Sequence, residues 1–359
     1  MDSLRIALVA PPYFDIPPAA YGGVEAVVAE LANTLVDRGH RVTLIAAGRN
    51  GTRAEFRPLW DEPMPERLGE PFPEVAHAAA AREEIVSLVR DEGLDVVHDH
   101  TLAGPLLAPY YRTLGLPTVI TAHGPVTGDL RDLYRSLGDQ IGLVAISARQ
   151  RGLAPELNWI ATVHNAVRAE TFPFRAEKDD YALWLGRYHQ DKAPHLALDA
   201  AHAADIPLVL AGKCHEPLEK AYFEQEIKPR LTDADTVFGM ADAAQKRRLL
   251  AGARCLLFPI QWEEPFGMVM IEAMACGTPV VALRGGSVPE VVEHDVTGII
   301  CDHPDKLAKA LIDVDEISPT ACRRRVMEHF GVDRLGAGYE ASYVRAMGKV
   351  YNEMAKISI

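Results

Sequence analysis

Long apolar runs are absent from this chain of 359 residues. No stretch approaches the ~18 residues that a membrane-spanning helix needs, so no span is expected. The N-terminus, Met1 to Ala10, reads as a short strand without a secretory signal, and a cytoplasmic location is expected. Cysteine is scarce. Five widely spaced residues form neither a disulfide framework nor a zinc pattern, which fits a reducing compartment. Cys255 and Cys276 lie in apolar runs and read as small core residues. Positive charge is in deficit. Residues 1–170 hold 15 Arg, no Lys and 22 Asp plus Glu, a net of −7; the remainder contributes −6 to the total of −13. Neither half has the basic excess that nucleic-acid binding requires, so no nucleic-acid partner is expected. No Gly-x-Gly-x-x-Gly follows the first strand, which argues against a dinucleotide oxidoreductase. No motif points to a pyridoxal lysine, and none calls for a metal, so neither cofactor is expected.

What remains is an ordinary globular composition, 48% hydrophobic and 24% charged. The length is too great for one ordinary core, so two domains are expected. Leu4 to Ala10 is almost continuously apolar, the pattern of a strand buried on both faces of a parallel sheet. A proline-rich loop, Tyr21-Gly22-Gly23-Val24-Glu25 and a helix with apolar Val24, Val27, Val28, Leu31 and Leu35 follow, then a strand from Val42 to Ala47. This is a βαβ unit. Gly22 and Gly23 serve either as a plain turn or as a place where helix-start amides meet a phosphate. Arg53 to Ala76, rich in proline and charge, reads as a surface loop, and Ala78 to Glu92 as a helix. Asp95 to His100 reads as a strand ending in His98-Asp99-His100, at the strand end where α/β sheets bind ligands. These polar residues read as hydrogen-bonded loop groups or as ligand contacts; a metal site would need a matching cluster elsewhere, and none occurs. Pro117 to Gly124 is a strand with its exit loop, leaving His123 just past the strand end. Leu143 to Ser147 and Trp159 to Val167, which carries Asn165, close the first half.

Glu170 to Asp180 is charged and contains Pro173, the composition of a linker. Tyr181 to Leu185 restarts a buried strand, and Gly186 to Lys192 leads to a helix near Pro194. Arg187 offers a planar fork and Lys192 a compact charge, both suited to phosphate oxygens, unless they are simply a surface pair. Strands are expected at Pro207 to Lys213, Thr236 to Gly239 and Cys255 to Pro259. Trp262 to Ala282 then reads as loop, helix, loop, strand. Gly267 permits close approach to the backbone, and the amides of Phe266, Gly267 and Met268 suit a diphosphate at the helix start. Glu264 stands before that helix and Glu272 on it. Glu272 is the only charge from Pro265 to Leu283, so it reads as a buried carboxylate that needs a partner. Hydroxyls at both ends of a ligand with phosphates between describe a nucleotide sugar.

The stretch Glu264-Pro-Phe-Gly-Met-Val-Met-Ile-Glu272-Ala-Met-Ala-Cys-Gly-Thr-Pro-Val-Val resembles the Glu-x7-Glu signature of retaining family-4 glycosyltransferases. The resemblance implies the GT-B fold: two α/β Rossmann-like domains facing across a cleft, with a C-terminal helix crossing back to the first. The expected division is 1–170 for the acceptor side, 171–180 for the linker, 181–335 for the nucleotide-sugar side and 336–359 for the returning helix. In the resembled family, Gly22, Gly23, Phe266, Gly267 and Met268 face the donor diphosphate, and Arg187 and Lys192 neutralise it. Glu264 holds donor-sugar hydroxyls and Glu272 the ribose. Phe238 and Gly239 line the base pocket, and Lys213 approaches the nucleotide. His123 contacts the donor sugar near the reacting carbon, so His123, Arg187, Lys192 and Glu264 are the expected catalytic set. His98, Asp99 and Asn165 are placed near the acceptor. Ala166 and Ala193 stand where the family usually has glycine. The implied activity is metal-independent, retaining transfer from a nucleotide diphosphate sugar, uridine ahead of guanosine, to an acceptor hydroxyl, in a small soluble molecule or glycan. A nucleotide-sugar 2-epimerase or hydrolase of the same fold, and a non-catalytic nucleotide-sugar-binding protein, stay open beside it; His123 favours an enzyme.

Overall fold

Strands of a parallel sheet covered by helices are apolar along their whole length. The apolar runs of this sequence become such strands in the computed structural model, which describes residues 3–357. The chain divides into two compact units, Met1–Asn165 with Val332–Ile359, and Ala166–Gly331.

Among the described residues the first unit holds seven strands: β1 (Arg5–Val9), β2 (Arg41–Ala47), β3 (Glu55–Trp60), β4 (Val96–Asp99), β5 (Thr118–Ala122), β6 (Gly142–Ala145) and β7 (Trp159–Thr162). They pair in parallel in the order β3-β2-β1-β4-β5-β6-β7. The order reverses between β1 and β4, which places the exits Ala10 and His100 at the topological switch point, where open α/β sheets hold ligands. Strand β3 and the first turns of the helix Pro71–Asp91 occupy the segment expected to be a surface loop. The reason is positional. Among the described residues β3 pairs only with β2, at the sheet edge, where Pro58 needs no ladder donor and Glu55 and Arg57 reach solvent.

The second unit holds β8 (Ala182–Arg187), β9 (Leu208–Lys213), β10 (Thr236–Gly239), β11 (Cys255–Phe258), β12 (Val280–Leu283) and β13 (Gly298–Cys301). The order is β10-β9-β8-β11-β12-β13, again parallel, with its switch point between β8 and β11. Each unit is therefore a Rossmann-like α/β domain. Residues 171–180 lie within the second unit, tied to it by Arg175 N donating to Cys276 O at 3.1 Å and Asp179 N to Gly252 O at 2.8 Å.

The helix Val332–Ile357 packs on the first unit. Glu340 accepts from Arg38 Nε at 2.8 Å and bonds His40 Nε2 at 2.9 Å. Tyr339 and Tyr343 are fully buried. A Cβ on Gly338 would lie 2.9 Å from Val163 Cγ1, so the helix rests on the chain leaving β7. No helix among the described residues is long and apolar enough to cross a membrane. All five cysteines are free; Cys255 and Cys276 are buried, and burial pushes both thiols up to about 12.

Candidate functional site

The loops leaving β8 and β11 meet at the second switch point. Gln261 N donates to Asp191 O at 2.7 Å, joining them through the backbone. Trp184, buried in β8, donates Nε1 to Lys192 O at 3.0 Å and fixes the turn that carries Lys192. Ala193, just after it, adopts left-handed geometry at φ 45°. Lys192 Nζ then reaches Glu264 Oε2, 72 residues on, and lies 4.8 Å from the Trp262 ring centroid. The same Oε2 accepts from Trp262 Nε1 at 2.7 Å. Glu264 Oε1 makes no bond among the described residues and is not among the buried orphaned atoms.

Glu272 repeats the arrangement. It lies in the helix Met268–Ala275, is 8% exposed, and accepts from Lys246 Nζ at 2.6 Å through Oε1. Its Oε2 likewise has no bond among the described residues. Each carboxylate thus spends one oxygen on a lysine and keeps the other. The buried carboxylate expected at 272 has its partner, and that partner, Lys246, carries no sequence signal because it sits on a helix 26 residues away.

Gly267 caps that helix at φ 76°, with Met270 Cε 2.7 Å from where a Cβ would be. Met270 N donates to Gly267 O at 3.0 Å, while the amides of Met268 and Val269 make no bond among the described residues, which leaves donors at the helix start. Met268 is half-buried there. Phe266 has a different place: its side chain is core, edge-on to Phe330 at 5.9 Å. The loop Gly285 to Ser287 braces this segment from behind. Ser287 N donates to Glu264 O at 3.0 Å and Ser287 Oγ to Phe266 O at 2.7 Å. Neither Ser287 nor Trp262 was singled out by pattern, since both act by supporting backbone or a carboxylate already chosen.

Arg187 and Lys213 are register partners at the ends of β8 and β9. The Arg187 guanidinium is half-buried and makes no bond among the described residues. Lys213 is paired with Glu216, which it holds below the usual carboxylate range, and lies 3.8 Å from buried Glu219. Phe238 and Gly239 end the edge strand β10, where Phe238 is 40% exposed and Gly239 follows a register shift.

In the first unit, Gly22 caps the helix Gly23–Asp37, with Gly23 exposed and nothing within 4 Å of an added Cβ. Glu25 curls back beneath them; it is buried, and desolvation pushes its carboxyl up to about 7. His123 is half-buried beyond β5, and its Nε2 bonds His100 Nδ1 at 2.8 Å. Burial holds His123 down at about 4, so its ring is neutral near pH 7. The acceptor-side trio is more internal than its sequence position implied. His98 is fully buried, with Nδ1 on Tyr343 Oη at 2.9 Å and Nε2 on Thr121 Oγ1 at 2.8 Å. Both ring nitrogens are used inside the unit, beneath the returning helix, so His98 has no group left for an acceptor. Asp99 is buried, accepts from Thr101 N and Oγ1 at 2.7 Å each, and is pushed up to about 7 by desolvation. Asn165 is buried at the end of the first unit with Oδ1 unpartnered among the described residues. No group of three or more His, Cys, Asp or Glu among the described residues is arranged to hold a metal ion.

Known glycosyltransferases resemble this architecture. Residues 21–184 match the family model described as Glycosyltransferase Family 4, and residues 168–326 match Glycosyl transferases group 1. Phosphatidyl-myo-inositol mannosyltransferase of Mycobacterium tuberculosis (strain CDC 1551 / Oshkosh) is 26% identical over 334 residues, 86% of each chain. Alpha-maltose-1-phosphate synthase of the same strain is 29% identical over 349 residues, 82% of this chain and 84% of the relative. Among solved structures, AviGT4, a glycosyltransferase involved in Avilamycin A biosynthesis, matches with a TM-score of 0.74 at 27% identity, covering 96% of this chain and 98% of that one. Two Rossmann-like domains, matched in turn by these two glycosyltransferase models from residue 21 to residue 326, give this chain the fold of the GT-B glycosyltransferases it resembles.

Proposed function

We propose that the protein is a retaining glycosyltransferase that moves a sugar from a nucleotide diphosphate donor, uridine ahead of guanosine, to a hydroxyl of a small soluble molecule or glycan. The observation that carries this reading is the pair of half-used carboxylates. Glu264 and Glu272 each hold one oxygen on a lysine and keep one free, either side of a helix start with unsatisfied amides. A ligand with hydroxyls at both ends and a diphosphate in the middle matches that order of groups. Glu264 takes the donor-sugar hydroxyls, the helix-start amides and Arg187 and Lys192 take the diphosphate, and Glu272 takes the ribose.

In the proposed reaction the acceptor oxygen approaches the anomeric carbon from the face that the diphosphate leaves. The bond from carbon to diphosphate oxygen breaks as the bond to the acceptor oxygen forms. The acceptor proton passes to the departing phosphate oxygen. No protein nucleophile and no metal take part. Arg187 and Lys192 stabilise charge as it grows on the leaving group, where preorganised electrostatics are most effective. His123 positions the donor sugar, and Gly22 and Gly23 give a further set of helix-start amides to the diphosphate. Lys213, Phe238 and Gly239 are assigned to the nucleoside end.

Calorimetric titration in metal-free buffer with UDP, GDP, ADP and their glucose and mannose conjugates tests the donor site. One base class is expected to bind, and Glu272→Ala is expected to weaken it by roughly 10-fold or more, the value of a hydrogen bond to a charged group. A flat panel for folded wild type would overturn the reading. The anomeric NMR signal of the sugar released by slow donor hydrolysis tests retention; an inverted configuration rules it out.

A further inference from the structure

His98 is saturated. Its two ring nitrogens are taken by Tyr343 and Thr121, and Thr121 Oγ1 is also 2.8 Å from Tyr339 Oη. It has nothing to give its neighbour His100, although the two rings pack at 4.1 Å between centroids. His100 is 5% exposed. Its Nδ1 bonds His123 Nε2 at 2.8 Å, while its Nε2 is buried with no partner among the described residues. Both rings are neutral near pH 7, since burial lowers the affinity of each for a second proton. A neutral imidazole carries one N–H, so the bond between the two histidines has one donor and one acceptor.

The orphaned nitrogen decides which is which. If the His100 proton sat on Nε2, a buried N–H would lack any acceptor, and folded proteins leave buried donors orphaned less often than they leave acceptors under-used. If it sits on Nδ1, the proton is used in the 2.8 Å bond and only a lone pair is left without a partner. His123 Nε2 is then the acceptor, and the single proton of His123 lies on Nδ1. That nitrogen makes no bond among the described residues and is not a buried orphan, so half-buried His123 presents it outward.

We infer that His100 is a positioning residue that fixes His123 as an Nδ1–H tautomer, a pure hydrogen-bond donor toward the sugar rather than a base. The inference rests on the assignment of His123 to the donor-sugar site. A histidine so held takes no proton from the acceptor; it recognises a hydroxyl or ring oxygen of the sugar by donating to it. The partner is selected for a lone pair at that point.

Nitrogen-15 NMR of the histidine-labelled full chain reads the tautomer directly. The expected result for wild type near pH 7 is a protonated Nδ1 and a bare Nε2 at His123. A protonated Nε2 overturns the inference, with no variant needed. His100→Asn keeps a donor where Nδ1 was, and the tautomer and donor turnover are expected to stay within a few-fold of wild type. His100→Asp offers an acceptor instead, so the His123 proton is expected to move to Nε2 and turnover to fall by on the order of 10²-fold, the cost of one lost donor at a reacting centre. Unchanged His123 spectra in His100→Asp also overturn it. The parent assignment fails separately: the expected tautomer together with full turnover in His123→Ala leaves the positioning intact and removes His123 from the site.

Discussion

Lys192 and Trp262 both donate to one oxygen of Glu264, the lysine from the loop after β8 and the indole from the loop after β11. The carboxylate is thereby held at one oxygen by groups from two loops, and its second oxygen has a fixed direction. Lys192→Met and Glu264→Gln are each expected to lower turnover by on the order of 10²-fold, and the double variant by little more than either single, because the pair acts as a unit. Steady-state kinetics of the three variants check this; full multiplicativity would show that the two residues act independently.

Ala193 occupies left-handed backbone space at φ 45° and ψ 51°. An L side chain there is strained by roughly 1–2 kcal/mol, and the residue is fully buried, so no solvent contact compensates. Ala193→Gly is expected to stabilise the second unit by about 1 kcal/mol, net of the greater entropy of glycine in the unfolded chain. Urea unfolding reads this as a higher midpoint at unchanged slope; a lower midpoint contradicts the strain.

Gly286 lies against the segment that carries Glu264. A Cβ on it would stand 2.2 Å from Glu264 O and 2.4 Å from Glu264 N, at φ 48°. Both obstacles are backbone, so Gly286→Ala must displace Glu264 itself. Turnover is expected to drop by on the order of 10²-fold, the usual consequence of moving a site group by about 1 Å. Retention of full turnover in a folded variant would show that the loop absorbs the methyl elsewhere.

Glu25 has a carboxyl raised from 4.5 to about 7 by burial and by nearby Glu74. Between those values the folded chain keeps a proton that the unfolded chain has released. The contribution of this group to stability is therefore present below pH 4.5 and declines as pH rises through 7, by up to about 1.4 kcal/mol per pH unit. Glu25→Gln mimics the neutral carboxyl at every pH. Its melting temperature is expected to gain on wild type at pH 8 relative to pH 5. A difference that is constant with pH would mean that the wild-type carboxyl is not held neutral.

Tyr343 Oη is 2.9 Å from His98 Nδ1 in the fully buried contact beneath the returning helix. Tyr343→Phe leaves that ring nitrogen unsatisfied and is expected to cost about 1–3 kcal/mol in chemical denaturation. An unchanged midpoint would show that the hydrogen bond contributes nothing net.

Much of this molecule is written in local pattern. Apolar runs such as Leu4 to Ala10 and Cys255 to Pro259 announce strands buried on two faces, because burial repeats at the spacing of the backbone itself. Gly267 before an apolar helix, and a single charge at Glu272 within it, mark a loop proposed to meet ligand and a carboxylate in need of a partner, for reasons that involve only neighbouring residues. Pattern misled at Glu55 to Trp60, where an edge strand tolerates the proline and charge that a central strand excludes. It was silent about Lys246 under Glu272, about the two bonds that close His98 to ligands, and about the proton order between His100 and His123. Those depend on which strand lies beside which and on where a helix whose Tyr343 is 245 residues beyond His98 comes to rest. Periodicity reports whether a side chain is buried; only the packed sheet and the returning helix choose what it is buried against.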